Sequence, residues 1–471
     1  MIKKLISDTL FYAVGPRVGL LLGIFILPFI TKKLTADDYV IYGLIIAVSG
    51  LLEALRELGL GVIRANSYFH RRQAYKLIWG NILGFNLVYA IPYGIFYGFS
   101  LYYLAYNGAF KDTVTFYGFV LLLFDILVMY PYISMGNQFL QYENKAKAAG
   151  LIAALTGLAS VILNFVFIFE LEWGFNGWIY GNAIARFISF VIFIVLMNRH
   201  RIYPVFRFSK QAFRGYFHVS LPLLPHGYGL FLINSVDRLV LKLVGCPENE
   251  FGRYNLAYNF ANYGEFGTNA LGTASSPAIY RFLQLGGHVA EIRRLVDIGF
   301  YISLFACFFA SAWIHEILGV LIRNPDLVAI DNLVIILCFS FVSRPVYMYL
   351  STVFVNFKKT RKLWRVSLGA GLFNLGFNFL IYPYFGVMGI AISTFIAFQI
   401  LSYAGGFLRE YEHSPYRIPF TGYLVVTLLA LLLALWANQQ ALQVKGVISV
   451  IALAGMVWTC KWVLQSKRAE R

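Results

Sequence analysis

The stretch Ser220–Leu256, SLPLLPHGYGLFLINSVDRLVLKLVGCPENEFGRYNL, decides the fold because its outer end repeats an earlier part of the chain. Within it PENEFGRYNL (Pro247–Leu256) matches TADDYVIYGL (Thr35–Leu44), acid on Asp38 and Glu250, aromatic on Tyr39 and Phe251, then Tyr42 on Tyr254 and Leu44 on Leu256. The offset is 212 residues. The same offset lays Gly174 and Gly177 of WGFNG on Gly386 and Gly389 of FGVMG. Two independent windows sharing one offset imply a tandem duplication of about six helices. The stretch itself reads as a hydrophobic helix that carries Asp237 and Arg238.

Composition sets the environment. With 59% hydrophobic and 13% charged residues over 471 positions, the chain is too apolar for a soluble fold. Its apolar runs are long enough to cross a hydrocarbon core as helices, whereas barrel strands would be about ten residues of alternating polarity. Fourteen runs are expected to span, the first near 10–30 and the last near 444–464. The reading is therefore an all-α integral membrane protein of about 14 transmembrane helices, with two pseudo-symmetric six-helix lobes around a central cavity. An N-terminal lobe is expected over 1–198, a cytoplasmic connector over 199–216, a C-terminal lobe over 217–413 and two additional helices over 414–471.

The net charge of +17 takes its meaning from where the charges fall. Most Lys and Arg lie in alternate links on the side of the N-terminus, including HRR (His70–Arg72), the run Arg199–Arg214 and KKTRKLWR (Lys358–Arg365). This is a positive-inside pattern with both termini cytoplasmic, contact with anionic lipids and no nucleic acid implied. The four cysteines and seven histidines are scattered without ligand spacing, so neither a disulfide nor a metal site is expected. Outer links are short and leave no room for a catalytic domain. The absence of GxxxxGKS, HExxH or a nucleophile motif points away from an enzyme.

Charged residues inside spans carry the functional reading, because each costs about 2.5–3.5 kcal/mol at a helix centre and so faces a partner or a cavity. Arg17 lies in helix one. Glu53, Arg56 and Glu57 share one face of helix two, and Asp125, Arg186 and Arg344 sit midway along helices four, six and ten. Asp237 and Arg238 occupy helix seven, and Glu265 the middle of helix eight. Sequence neighbours on a helix point about 100° apart, so Asp237 and Arg238 are expected to find separate partners or water, which favours a wet cavity. Arginine presents a charged fork suited to phosphate, which makes an anionic phosphorylated substrate the expectation. Glu265, with Asp237 and Asp125, is expected to serve coupling to a proton or sodium ion, and Glu53, Arg186 and Arg344 are secondary cavity candidates. No organic cofactor is expected.

The opening LFYAVGPRVGLLLGIFILPFITKKLTADDYVIYGL, then LRELGLGVI, SVDRLVLKLVGCPENEFGRYNLA and NFLIYPYFGVMGIAIST, in that order, resemble the Wzx-type oligosaccharide flippases, the polysaccharide transporter branch of the multidrug/oligosaccharidyl-lipid/polysaccharide exporter superfamily. The resemblance implies helices one, two, seven and eight around the cavity. It also implies an oligosaccharide on undecaprenyl pyrophosphate as substrate, flipped across the bacterial cytoplasmic membrane, with Arg17, Arg56 and Arg238 receiving the pyrophosphate. The polysaccharide polymerase and chain-length machinery are the implied partners. A lipid II flippase and a cation-coupled multidrug antiporter of the same superfamily are the alternatives. A non-transporting scaffold would not need buried charges on duplicated helices.

Overall fold

The computed structural model describes residues 18–105, 114–143, 145–221, 224–286, 288–324, 327, 329–356, 363–408, 411, 414 and 416–465. All regular structure among them is helical. Ten described helical segments, one of them (Asp331–Phe354) interrupted by a turn, are long and apolar enough to cross a membrane, by length and composition. The first six elements are α1 (Val18–Lys33), α2 (Ala36–Arg56), α3 (Gly61–His70), α4 (Tyr75–Ala105), α5 (Phe116–Tyr142) and α6 (Lys147–Glu170). Then follow α7 (Gly174–Arg199), α8 (Lys210–Ser220), α9 (Leu224–Asn234), α10 (Val236–Leu243), α11 (Glu248–Leu285) and α12 (Val289–Ala312). The last six are α13 (Ile314–Leu321), α14 (Asp331–Phe339), α15 (Arg344–Asn356), α16 (Leu363–Tyr403), α17 (Phe420–Asn438) and α18 (Leu442–Gln465).

Contacts divide the chain into two compact units, Met1–Gly227 with Leu321–Asp326, and Tyr228–Val320 with Leu327–Arg471. The repeat seen in the sequence is written into their backbones. α2 starts at Ala36 and α11 at Glu248, 212 residues apart. Gly174 and Gly386, at the same spacing, adopt φ of +53° and +54°. A left-handed residue there costs nothing for glycine, and it lets the chain reverse between one span and the next. At Gly386 the turn is so tight that α16 runs through it as two helices joined at a kink.

Local chemistry sets the helix ends. α2 begins in a capping box, in which Thr35 Oγ1 accepts from the Asp38 amide at 3.3 Å and Asp38 Oδ2 accepts from the Thr35 amide at 2.8 Å. It ends earlier than the sequence suggests. The span expected over 39–63 stops at Arg56, since Leu58 and Gly59 take φ of +50° and +71°, and α3 resumes at Gly61. A Cβ on Gly59 would meet the Ser220 carbonyl oxygen at 2.7 Å, so the turn is packed against the end of α8.

The span expected over 217–245 is likewise not one helix. It divides into α9 and α10 at Ser235, whose φ of −143° and ψ of −11° leave the helical region. In the first unit the segment leading to α8 and α8 itself lie on α4, with the Val205 amide donating to the Gly80 carbonyl at 2.9 Å and the Phe213 ring tilted against Phe85, centroids 4.8 Å apart. In the second unit the carboxylate of buried Asp297 accepts from Tyr416 at 2.8 Å and from Tyr423, which ties the approach to α17 onto α12. Lys445 of α18, 1% exposed, pairs with Glu316 at 2.7 Å.

Candidate substrate and coupling site

Arg17 lies outside the described residues. Of the other nine charged residues expected inside spans, Glu57 pairs with Arg64, and eight form four further ion pairs, each within one unit. Glu53 and Arg56 pair at 3.3 Å near the end of α2, and Asp125 and Arg186 at 2.5 Å between α5 and α7. Asp237 and Arg238 pair at 3.1 Å on α10, and Glu265 of α11 and Arg344 of α15 at 3.4 Å.

The third of these corrects the sequence reading. Asp237 and Arg238 do face each other, wholly buried at 0% and 2% exposure. The 100° rule holds for Cβ directions inside a regular helix, but Asp237 stands in the first turn after the break at Ser235. There its Oδ1 accepts the Arg238 amide at 2.9 Å, and the long arginine stem folds back to reach the same oxygen. Arg238 Nη1 also donates to the Asn234 carbonyl at 2.9 Å, freed by the break, and Nε to Asn255 at 3.1 Å. Its guanidinium lies 4.1 Å from the Tyr258 ring, and Tyr254 donates to the other Asp237 oxygen. No wet cavity is needed to satisfy this pair.

Arg56 is differently placed. Its Nη1 reaches Glu53, and its guanidinium carbon lies over the Tyr130 ring, 3.2 Å from the centroid, a close cation–π contact. Tyr130 in turn donates to the other Glu53 oxygen at 2.9 Å. Nε and Nη2 of Arg56 are buried without a hydrogen-bond partner. Tyr130 follows a π-helical turn at Asp125–Met129, an irregularity that is often found at functional positions. The same turn opens on a cavity of about 140 Å³ whose lining includes Asp125, Arg186, Asn182, Tyr42 and Trp178.

In the second unit Arg344 starts α15 after a break at Ser340–Ser343, donating to Asn269 at 3.0 Å and to Glu265. Its Nη1 is buried without a partner.

Sequence reasoning missed Arg64, 1% exposed, which donates to Glu57 at 2.7 Å and to Ser134 and Gln138 of α5. Nothing in the sequence signals the break at Glu57–Leu60 that buries it except LGLG, a weak glycine cue. Asn378 and Thr394 of α16 were also missed. Both Asn378 amide atoms and Thr394 Oγ1 are buried and unpartnered, yet single polar residues in an apolar run carry no spacing signal.

A chain built this way, all-helical, duplicated and with ion pairs buried in its apolar spans, is a multi-pass membrane protein with a duplicated helical fold. Solved structures share that fold. The lipid II flippase MurJ in an inward closed conformation aligns with a TM-score of 0.71 at 12% identity, over 97% of this chain and 99% of its own. The MATE multidrug transporter DinF-BH aligns at 0.64 with 16% identity, over 88% and 97%. The MATE transporter VcmN of Vibrio cholerae aligns at 0.57 with 13% identity, over 90% and 98%. No curated protein matches in sequence. Residues 5–283, more than half of the chain, match the family described as polysaccharide biosynthesis protein, and the chain belongs to that family.

Proposed function

We propose that this protein is a flippase that moves an undecaprenyl-pyrophosphate-linked oligosaccharide from the inner to the outer leaflet of the bacterial cytoplasmic membrane by alternating access, for O-antigen, capsule or exopolysaccharide synthesis. Membership of the polysaccharide biosynthesis family is the observation that carries this reading. The arrangement of Arg56 supports it, since a charged fork with two unpartnered donors suits a pyrophosphate oxygen. Arg17 remains a proposed second receiver near the cytoplasmic mouth. Both termini are cytoplasmic in this reading, and the polymerase and chain-length machinery take the product.

A diphosphate diester carries about two negative charges, and an inside-negative potential favours its outward passage by about 2.3 kcal/mol per charge per 100 mV. The protein has chiefly to lower the barrier by replacing water around the diphosphate. Coupling to a proton or sodium ion falls to Glu265 ahead of Asp237 and Asp125, whose carboxylates are held more closely by Arg238 with Tyr254 and by Arg186.

Deleting the gene and measuring undecaprenyl-linked oligosaccharide on each leaflet tests the reading. Accumulation on the inner leaflet is expected, and Arg56→Ala should reproduce it with a loss of flipping of about tenfold or more, the cost of one charge-assisted contact of about 1.5–3 kcal/mol. Accumulation of lipid II would instead support the lipid II flippase reading that the MurJ fold likeness favours.

A further inference from the structure

Two glutamates stand at the same place in the two repeats. Glu53 and Glu265 are 212 residues apart, and each is the eighteenth residue of its helix, α2 or α11. Each is met by a side chain from an irregular point of the α5 or α14–α15 span, Tyr130 after the π-turn and Arg344 after the Ser340–Ser343 break.

The ion pairs these glutamates make combine an open contact with spare buried donors on the arginine, whereas Asp237–Arg238 at 3.1 Å and Asp297–Arg293 at 3.5 Å are open only, and Glu57–Arg64 keeps a spare Nη1 but is tight. Charge-assisted contacts close to about 2.7–2.9 Å. Arg64–Glu57 and Lys445–Glu316 do so at 2.7 Å, and Arg186–Asp125 is shorter still at 2.5 Å. Arg56–Glu53 and Arg344–Glu265 stay open at 3.3 and 3.4 Å. In both, the arginine keeps buried donors with no acceptor, Nε and Nη2 of Arg56 and Nη1 of Arg344. A loose pair with spare donors neutralises its arginine while leaving it able to take a stronger, forked acceptor.

From this we infer that Glu53 and Glu265 are exchangeable counter-ions, and that the arginines they hold, Arg56 in the first unit and Arg344 in the second, each receive an anionic diphosphate within their own unit. The inference rests on the flippase reading above and puts Arg344 in the place that the family resemblance gave to Arg238. Arg238 has its donors spent on Asp237, Asn234 and Asn255. When the diphosphate arrives, its oxygens displace the glutamate. When it leaves, the glutamate returns and cancels a charge that would otherwise cost about 2.5–3.5 kcal/mol inside the membrane. The empty carrier can then reset.

The test uses the full-length protein in lipid nanodiscs, with farnesyl diphosphate as the binding probe and lipid-linked oligosaccharide flipping in vesicles as the rate. Glu53→Gln and Glu265→Gln should each bind the probe about threefold to tenfold tighter, because a competitor is gone, while turnover falls. On the wild-type protein, the probe should raise carbodiimide labelling of Glu53 and Glu265, a measurement that does not depend on any variant folding. If Arg56→Ala and Arg344→Ala weaken probe binding but the Gln variants leave both affinity and rate unchanged, or labelling does not rise, the counter-ion inference is overturned and the anion reading stands. If the probe binds both arginine variants as tightly as wild type, the anion reading itself fails.

Discussion

The two repeats agree in where their helices start and disagree in where those helices break. In the first unit α1 runs unbroken from Val18 to Lys33 and the following helix breaks after Arg56, whereas in the second the equivalent of α1 breaks at Ser235 and α11 continues for 38 residues. Each break consumes charges. At the first, Glu57 and Arg64 close across the Leu58–Gly59 turn. At the second, Asp237 and Arg238 close on the freed Asn234 carbonyl. The unbroken stretches carry the loosely held glutamates. Duplication thus preserved the span and its loosely held glutamate, while each copy acquired its own fixed, charge-locked turn.

The largest expected effect tests whether the second break is a lock. Replacing Arg238 with Met leaves Asp237 buried and uncompensated, a loss of about 3–5 kcal/mol that should collapse the yield of monodisperse protein in detergent. Arg56→Met, by contrast, leaves a partly exposed glutamate that still has Tyr130, and should melt within a few degrees of wild type. Equal melting temperatures for the two variants would erase the distinction between fixed and exchangeable pairs.

A smaller effect separates the first break from its unbroken counterpart. Gly59→Ala puts a Cβ in a left-handed conformation, at about 1–2 kcal/mol, and against the Ser220 carbonyl at 2.7 Å. Gly23, which the 212-residue offset lays on Ser235, has open space at its Cβ position inside a continuous helix, so Gly23→Ala should be neutral or stabilising by up to about 1 kcal/mol. Thermal melts of the two variants give the comparison directly. Destabilisation by Gly23→Ala would mean that α1 needs freedom there.

How much of this was legible in the sequence follows from the range of each signal. The spans are set by hydropathy over some twenty residues, and the repeat by an offset that Gly174 and Gly386 bear out in nearly identical φ values. Every described charge flagged inside a span proved to be paired. The partners were not legible, because a pair such as Glu265–Arg344 joins positions 79 apart in sequence. The breaks were hidden as well. Ser235 is an ordinary polar residue, and its effect depends on Asp237 and Arg238 packing beside it. Lys445, at the start of its apolar run, is 1% exposed, yet nothing in its own neighbourhood names Glu316 as its partner.

The smallest effect concerns the surface end of α3, which exists only because of the first break. Tyr68 and Arg72 both reach Glu143 after α5, Arg72 at 3.2 Å, and Arg72 also lies 4.0 Å from the Tyr68 ring. The Tyr68 hydrogen bond, and after it Arg72, hold the Glu143 carboxyl below its ordinary 4.5. A carboxyl with a lowered folded-state pKa contributes stability that is fully present above its unfolded value and is lost as pH falls through the folded one. Glu143 is partly exposed, so solvent screening keeps the contribution to about 1 kcal/mol or less. Glu143→Gln should therefore melt slightly below wild type at pH 7, and the gap should narrow as pH falls below 4.5 and close once it passes the lowered folded-state value, where folded wild type takes up the proton. A gap that persists unchanged at low pH would show that the Glu143 charge does no work in holding α3, leaving Arg64 and the Trp79 hydrogen bond to the Arg64 carbonyl to fix the segment from inside.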